Sequence, residues 1–223
     1  MSETPHIVSD VMTRTVVAVG RDAPFKEIVR TMEHWQVSAM PVLDGEGRVI
    51  GVVSEADLLP KEEFRDSDPA PVEQRRRLSD IVKAGAVTAG ELMSTPAVTV
   101  HSDTTLAQAA RIMAVRHVKR LPVVDDLGML QGIVSRADLL KVFLRPDEDI
   151  EEEVRRTVVS YLFPALSHAI HVNVHEGVVT LRGDVHDTSL VSVAVRLIRA
   201  VEGVVGVEPH LTGNHAREKE EGL

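Results

Sequence analysis

Two short stretches carry the residues best suited to chemistry: Gly51-Val52-Val53-Ser54-Glu55-Ala56-Asp57 and Gly132-Ile133-Val134-Ser135-Arg136-Ala137-Asp138. In each, an apolar pair reads as the end of a buried strand, and the serine stands where a helix N-cap belongs. A helix start exposes unpaired N–H groups and a partial positive charge, which suits a phosphate. A hydroxyl at the cap and a carboxylate three residues on could hold a phosphate and a ribose diol side by side. The same spacing serves a capping box, with Asp57 or Asp138 reaching back to the serine. One copy alone favours the capping reading, because this motif is common. Two copies in matching surroundings add weight to a ligand site.

The elements around these stretches repeat as well. Val16, Val17 and Val19 read as a short strand, and Phe25, Ile28, Val29 and Met32 recur at helical spacing. Residues 40–43 form a second strand, Asp44-Gly45-Glu46-Gly47 has hairpin composition, and residues 48–53 return as its partner. A shift of 81 residues superposes the pattern without a gap. Met12 falls on Met93, Asp22 on Asp103, Met32 on Met113, Pro41-Val42 on Pro122-Val123, and Asp44 on Asp125. Gly47 falls on Gly128, and Ala56-Asp57-Leu58-Leu59 on Ala137-Asp138-Leu139-Leu140. Such a repeat means two copies of one unit, and pairing them would bury the sheet surface that each leaves open.

These residues resemble a tandem CBS-domain pair, or Bateman module. The resemblance covers about residues 7–145 and includes the lead-ins Asp10-Val11-Met12-Thr13 and Glu91-Leu92-Met93-Ser94. It implies two pseudo-symmetric βαββα units with two clefts that bind AMP, ADP, ATP or a related adenosyl ligand, in a module that forms a homodimer. By the same resemblance Asp57 and Asp138 hold ribose hydroxyls, Ser54 and Ser135 contact phosphate, and residues after the lead-ins, such as Thr15 and Pro96, line the adenine slot. The two copies differ in charge. The second has His117, Lys119, Arg120 and Arg136 where the first has Gln36, Ser38, Ala39 and Glu55. Charge-assisted contacts favour phosphate, so the second site is expected to be the stronger one. A cleft of this kind can borrow residues from the facing repeat, so these cations could serve either site.

Residues 61–85 read as a charged connector, a loop to about residue 71 and then a helix over 72–83 with Leu78, Ile81 and Val82 as its apolar side. Its Arg75-Arg76-Arg77 run reads as a solvated face. The second repeat is expected over 86–146. Beyond it, Ile150, Val154, Thr157, Val158, Tyr161 and Leu162 fit an amphipathic helix ending at Pro164. Strands follow at Ile170, Val172 and Val174 and at Val178, Val179 and Leu181, then a helix through Leu190, Ala194, Leu197 and Ile198, and a strand at 203–207. This αββαβ unit, with Gly177-Val178-Val179-Thr180-Leu181-Arg182-Gly183, resembles a BON domain over 149–213. Residues 214–223 read as a disordered tail.

The fold class expected is therefore α+β. With 223 residues, 43% of them hydrophobic, the chain can bury cores for several small domains. The net charge of −9 argues against nucleic acid, and the absence of cysteine excludes thiolate catalysis and disulfides. No signal peptide or bilayer-length apolar run appears, so a cytoplasmic location is expected. His171 and His175 share a strand face, as a half-exposed strand requires anyway, and no metal is expected there. No nucleophile–base set or phosphate-binding Gly-Lys loop appears, so the chain is not expected to be an enzyme. The expected function is regulatory: adenine nucleotide binds the repeats, and their state passes to the BON-like domain. That domain carries five Arg and no Lys against nine Asp and Glu, which disfavours an anionic membrane. The alternative is a structural or phospholipid-associating adaptor with vestigial nucleotide sites.

Overall fold

Each repeat folds around an antiparallel hairpin of branched apolar residues closed by an aspartate. The computed structural model describes residues 6–64 and 78–213, in two units, His6–Leu139 and a second that begins at Leu140. In the first repeat β1 (Val19–Gly20) runs parallel to β2 (Ala39–Leu43), which pairs antiparallel with β3 (Val49–Ser54). In the second, β4 (Arg120–Val124) pairs antiparallel with β5 (Leu130–Ser135), and a parallel bridge from Val100 to Val123 stands where β1 meets β2. The registers coincide after the 81-residue shift: Ala39 faces Ser54 as Arg120 faces Ser135, and a bulge follows Val42 as it follows Val123. Asp44 Oδ1 accepts from the N–H groups of Glu46 and Arg48 at 2.9 and 2.8 Å, and Asp125 Oδ1 from those of Leu127 and Met129, both at 2.9 Å. The side chain of the turn's first residue thus fixes the hairpin in both copies.

The repeats are joined by exchanging their lead-ins. The short helix Val8–Val11 docks on the second repeat, where Val8 N–H donates to Thr104 O (2.8 Å) and Ser9 N–H to Ser102 O (2.9 Å). Its twin Ala89–Leu92 docks on the first, where Ala89 N–H donates to Ala23 O (2.9 Å) and Gly90 N–H to Arg21 O (2.8 Å). Thr13 then pairs with Ile133 and Ser94 with Val52, each exchanging two backbone hydrogen bonds of 2.9–3.2 Å. Ala86, Ala89 and Leu92 accordingly share a core with Ile28, Met32, Met40 and Val53 of the first repeat. Where the lead-ins cross, a side chain on the hairpin would not fit. A Cβ on Gly132 would lie 2.7 Å from Met12 Sδ and 3.0 Å from Thr13 O, and one on Gly51 would collide with Met93.

The connector differs from the sequence expectation at two points. Pro60–Glu63 is helical rather than loop: proline at the first helical position presets φ, and Glu62 and Glu63 sit in the favoured first turn. The helix Leu78–Gly85 leaves Leu78 and Val82 62% and 68% exposed, with Ile81, Lys83 and Ala84 half-buried instead. The Arg75-Arg76-Arg77 run and residues 214–223 lie outside the described residues.

The second unit starts with a 3-10 turn (Lys141–Leu144) and a helix (Asp147–Val154), continued through the π-turn Arg155–Val159 and Ser160–Leu162. The extra residue of the π-turn rotates the apolar stripe. Val158, Val159 and Phe163 are buried, whereas Tyr161, expected on that stripe, is 76% exposed. β6 (His171–His175) pairs antiparallel with β7 (Val178–Val185), and β7 pairs parallel with β8 (Gly206–Gly213) after the helix Ser189–Ile198. The last strand thus lies later than the expected 203–207, because Gly203 (φ 90°) turns the chain against Ile150 before β8 begins. Asp147 clamps the β6–β7 turn, its two carboxylate oxygens accepting from Glu176 N–H (2.7 Å) and Gly177 N–H (2.9 Å). Arg145 pairs with Glu153 at 2.8 Å and donates to Glu202 O at 3.0 Å.

Two stability outcomes follow from these contacts. Gly132→Ala is expected to cost about 1–3 kcal/mol, since Met12 and the Thr13 carbonyl must both shift; chemical denaturation should show a lower midpoint at an unchanged slope. Asp147→Ala, which loses both bonds to the hairpin turn, is expected to cost about 1–3 kcal/mol, read as a lower unfolding temperature.

Candidate functional site

The ends of β3 and β5 set out the two serine–aspartate pairs identically. Each strand runs straight into a helix, Glu55–Leu58 after Ser54 and Arg136–Leu140 after Ser135. Asp57 Oδ2 accepts from Ser54 N–H (2.8 Å) and Ser54 Oγ–H (2.7 Å), and Asp138 Oδ2 from Ser135 N–H (2.9 Å) and Ser135 Oγ–H (2.7 Å). The capping box is therefore present in both copies. It uses only Oδ2 of each carboxylate. A carboxylate has about four lone-pair sites on two oxygens, so Oδ1 is left to face other groups.

At Asp57 those groups are identified. Lys83 Nζ, from the connector helix Leu78–Gly85, pairs with Asp57 Oδ1, and Ser94 Oγ of the second lead-in lies 3.5 Å from the same oxygen. Asp57 is the buried polar residue of the described chain, at 8% exposure. Lys61 Nζ donates to Ala84 O at 2.9 Å and sits 5.3 Å from the centroid of the Phe25 ring. A lysine at the last carbonyls of a helix is favourably placed against its dipole. Two lysines thus hold the connector helix against the first repeat.

The other candidate residues fall around the two pairs in a crossed arrangement. Pro96 follows Ser94, which pairs with Val52, and Thr95 Oγ1 donates to Ile50 O at 2.9 Å, so Pro96 stands by the first repeat's hairpin. Thr15 follows Thr13, which pairs with Ile133, so it stands by the second. Arg120 reaches across to Ser38 of the first repeat, its guanidinium 2.7 Å from Oγ. The Ser38 carbonyl accepts from Glu55 N–H at 3.1 Å, so this guanidinium reaches the chain beside the first pair, while the Arg120 backbone pairs with Ser135 of the second. Arg136 stays in its own repeat, donating to Val118 O at 3.1 Å, and Lys119 is exposed, its carbonyl accepting from Arg136 N–H. His117 takes φ 54° at the end of the helix Leu106–Val115, as Gln36 takes φ 53° at the end of Phe25–Trp35. Both residues serve the left-handed turn that ends a helix. Among the described residues no group of three or more His, Asp or Glu converges as a metal site, and no helix is long and apolar enough to cross a membrane.

Lys83, Ser94 and Ser38 were not among the residues singled out from the sequence. Ser94 had a signal in the duplicated lead-in. Lys83 had one only in hindsight, as a charged residue between Ile81 and Ala84 on a helix otherwise read by its apolar spacing.

Two exchanged βαββα halves, each with a capped serine–aspartate pair, define a tandem module of two like units. The CBS domain family matches residues 8–61 and 89–145, and the BON domain family matches residues 146–214. The chain belongs to the CBS-domain proteins, as a tandem CBS pair followed by a BON domain. It is 27% identical over 154 residues to the uncharacterized protein MJ1426 of Methanocaldococcus jannaschii, covering 62% of this chain and 91% of that one. Among solved structures, it resembles CBSX2 of Arabidopsis thaliana in complex with AMP, at 28% identity and TM-score 0.55, over 62% of this chain and 97% of that one. It also resembles protein MJ1225 from Methanocaldococcus jannaschii, at 26% identity and TM-score 0.50, over 63% and 49% of the two chains.

Replacing Asp57 tests how far the pair at the first site is structural. Asp57→Ala removes the cap and leaves the half-buried Lys83 ammonium without its carboxylate. It is expected to lower stability by about 2 kcal/mol or more, measured by urea denaturation of the full chain.

Proposed function

We propose that this chain is a non-catalytic regulator that binds AMP, or ADP, ATP or a related adenosyl ligand, at the two serine–aspartate pairs and relays its state to the BON domain. The observation that carries this reading is the division of labour within each aspartate. Oδ2 is engaged in the cap in both copies, while Asp57 Oδ1 lies 3.5 Å from Ser94 Oγ of the opposite lead-in, so a ribose diol would be held at the oxygen the cap does not use. The likeness to CBSX2 in complex with AMP supports the same ligand class. A phosphate would meet the helix start at Ser54 or Ser135, where N–H groups and the helix dipole favour an anion. Thr15 and Pro96 would flank the adenine, and Arg120, Arg136 and Lys119 would supply positive potential toward the phosphate, with His117 beside them.

On this reading the second site is the stronger, since Arg136 directly follows Ser135 whereas the acidic Glu55 follows Ser54. The protein acts as a cytoplasmic homodimer built on the CBS pair, with domains at 7–60, 86–146 and 149–213. A ligand alters the relay only by binding two arrangements of the chain unequally.

A thermal-shift screen with AMP, ADP, ATP, S-adenosylmethionine and NAD, followed by calorimetry, tests this. A bound nucleotide at about 100 times its Kd should add about 2.7 kcal/mol of stability. Asp138→Ala should weaken AMP binding more than Asp57→Ala does, and the reverse order overturns the ranking. No shift with any of the five ligands favours the adaptor function instead.

A further inference from the structure

Lys83 belongs to neither repeat, yet it makes the one ion pair described at Asp57. The carboxylate's acceptor positions are then filled: two at Oδ2 by Ser54, and those at Oδ1 by Lys83 and Ser94. A ribose diol needs two acceptor positions on this group. Oδ2 cannot supply them without opening the cap, so the diol must take Oδ1 and displace the ammonium. The pair is largely withdrawn from water, at 19% side-chain exposure for Lys83 and 10% for Asp57. In such surroundings a charge left without its partner is costly.

The helix that carries Lys83 is suited to move. It is eight residues long, Leu78–Gly85, and its outward face exposes Leu78 and Val82. Most helical stability in proteins comes from tertiary packing, so this helix depends on its contacts for its position. It packs on the short helices Glu55–Leu58 and Pro60–Glu63 with Ile81 and Ala84 half-buried, and two lysines pin it there: Lys83 on Asp57, and Lys61 on the Ala84 carbonyl. Gly85 follows directly, before the buried Ala86 and Ala89 that anchor the lead-in to the first repeat's core.

We infer that Lys83 is a built-in competitor for the ribose position of the first site, so that ligand at Asp57 and the docked connector helix exclude one another. This rests on the reading of Asp57 as a ribose-binding carboxylate. The connector is thus a gate specific to the first site: nucleotide there must release Lys83, and whatever holds the helix down lowers affinity at that site alone. By the same linkage, a ligand that needs a closed fraction of the protein to open binds with an affinity reduced by the open fraction.

The test uses the full-length chain and AMP, by calorimetry, in an Asp138→Asn background that removes the ribose carboxylate of the second site. Lys83→Met in that background should raise AMP affinity about tenfold if the gate is closed about nine-tenths of the time. Adding Asp57→Asn should abolish the gain, and Lys83→Arg, which keeps the cation, should leave affinity near that of the parent. Thermal unfolding without ligand checks that each variant is folded; Lys83→Met should unfold at lower temperature and show the larger AMP-induced rise. Unchanged or weaker AMP binding in Lys83→Met, with binding seen in the parent, overturns the gate and leaves the nucleotide reading standing. A gain that persists with Asp57→Asn also overturns it. No AMP binding by the wild-type chain or by any variant overturns the gate together with the reading it rests on.

Discussion

The ladder between Val52 and Ser94, and its counterpart between Thr13 and Ile133, tie each hairpin to the opposite lead-in through paired backbone hydrogen bonds. A lone repeat would leave these strand edges unpaired and the floor of its core open, since the first core includes Ala86, Ala89 and Leu92 from the second lead-in. Unpaired buried backbone groups and uncovered apolar surface are both costly. The exchange removes both costs at once and fixes where every candidate ligand contact falls. It brings Ser94 to Asp57, Pro96 to the first hairpin and Thr15 to the second. It also explains why Gly51 and Gly132 stand in the middle of strands, where glycine is otherwise unfavourable: the methionines at Met93 and Met12 pass over them.

Capping and ligand binding need not compete for the same atoms. The cap engages Oδ2 of each aspartate, so a ligand held at Oδ1, as proposed, would leave it intact. A cap that holds the aspartate by Oδ2 also restrains its rotamer and with it the direction of Oδ1, which at Asp57 meets Lys83 and Ser94. For the proposed ligand this restraint would act as preorganisation, which lowers the ordering cost of binding. The same logic appears elsewhere in the chain without a ligand. Glu91 accepts from Val87 and Thr88 N–H groups, and these bonds, Val87's foremost, hold its carboxyl below the ordinary range. Asp147 is likewise fixed by two N–H donors of a distant turn.

Charge distribution breaks the symmetry that the backbone keeps. The 81-residue shift reproduces strand registers, bulges, turns and left-handed helix ends, down to φ 53° at Gln36 and 54° at His117. The cations do not follow it. Arg120 leaves its own repeat for Ser38, and Lys83 comes from outside both repeats to Asp57. Long flexible side chains can reach across an interface that strands cannot, so two copies of one scaffold acquire different electrostatics without any change of fold.

The sequence alone determined the duplication, the α+β class, the hairpins and the serine–aspartate pairs, because these rest on local periodicity, turn residues and cap chemistry. It also placed the elements of the BON domain, apart from the last strand, expected at 203–207 and observed at Gly206–Gly213. Tertiary structure decided the rest. Tyr161 leaves the core because a π-turn shifts the helix face by one residue, which spacing counted at 3.6 per turn cannot register. Leu78 and Val82 face outward, and Lys83 turns inward with Ile81 and Ala84 to meet a buried carboxylate 26 residues earlier in the chain, a partner that spacing along the helix cannot reveal. Arg120 bonds across to the first repeat because the pairing of the halves sets Ser38 within its reach. Contacts between residues far apart in sequence depend on how the halves pack, and no local pattern encodes that distance.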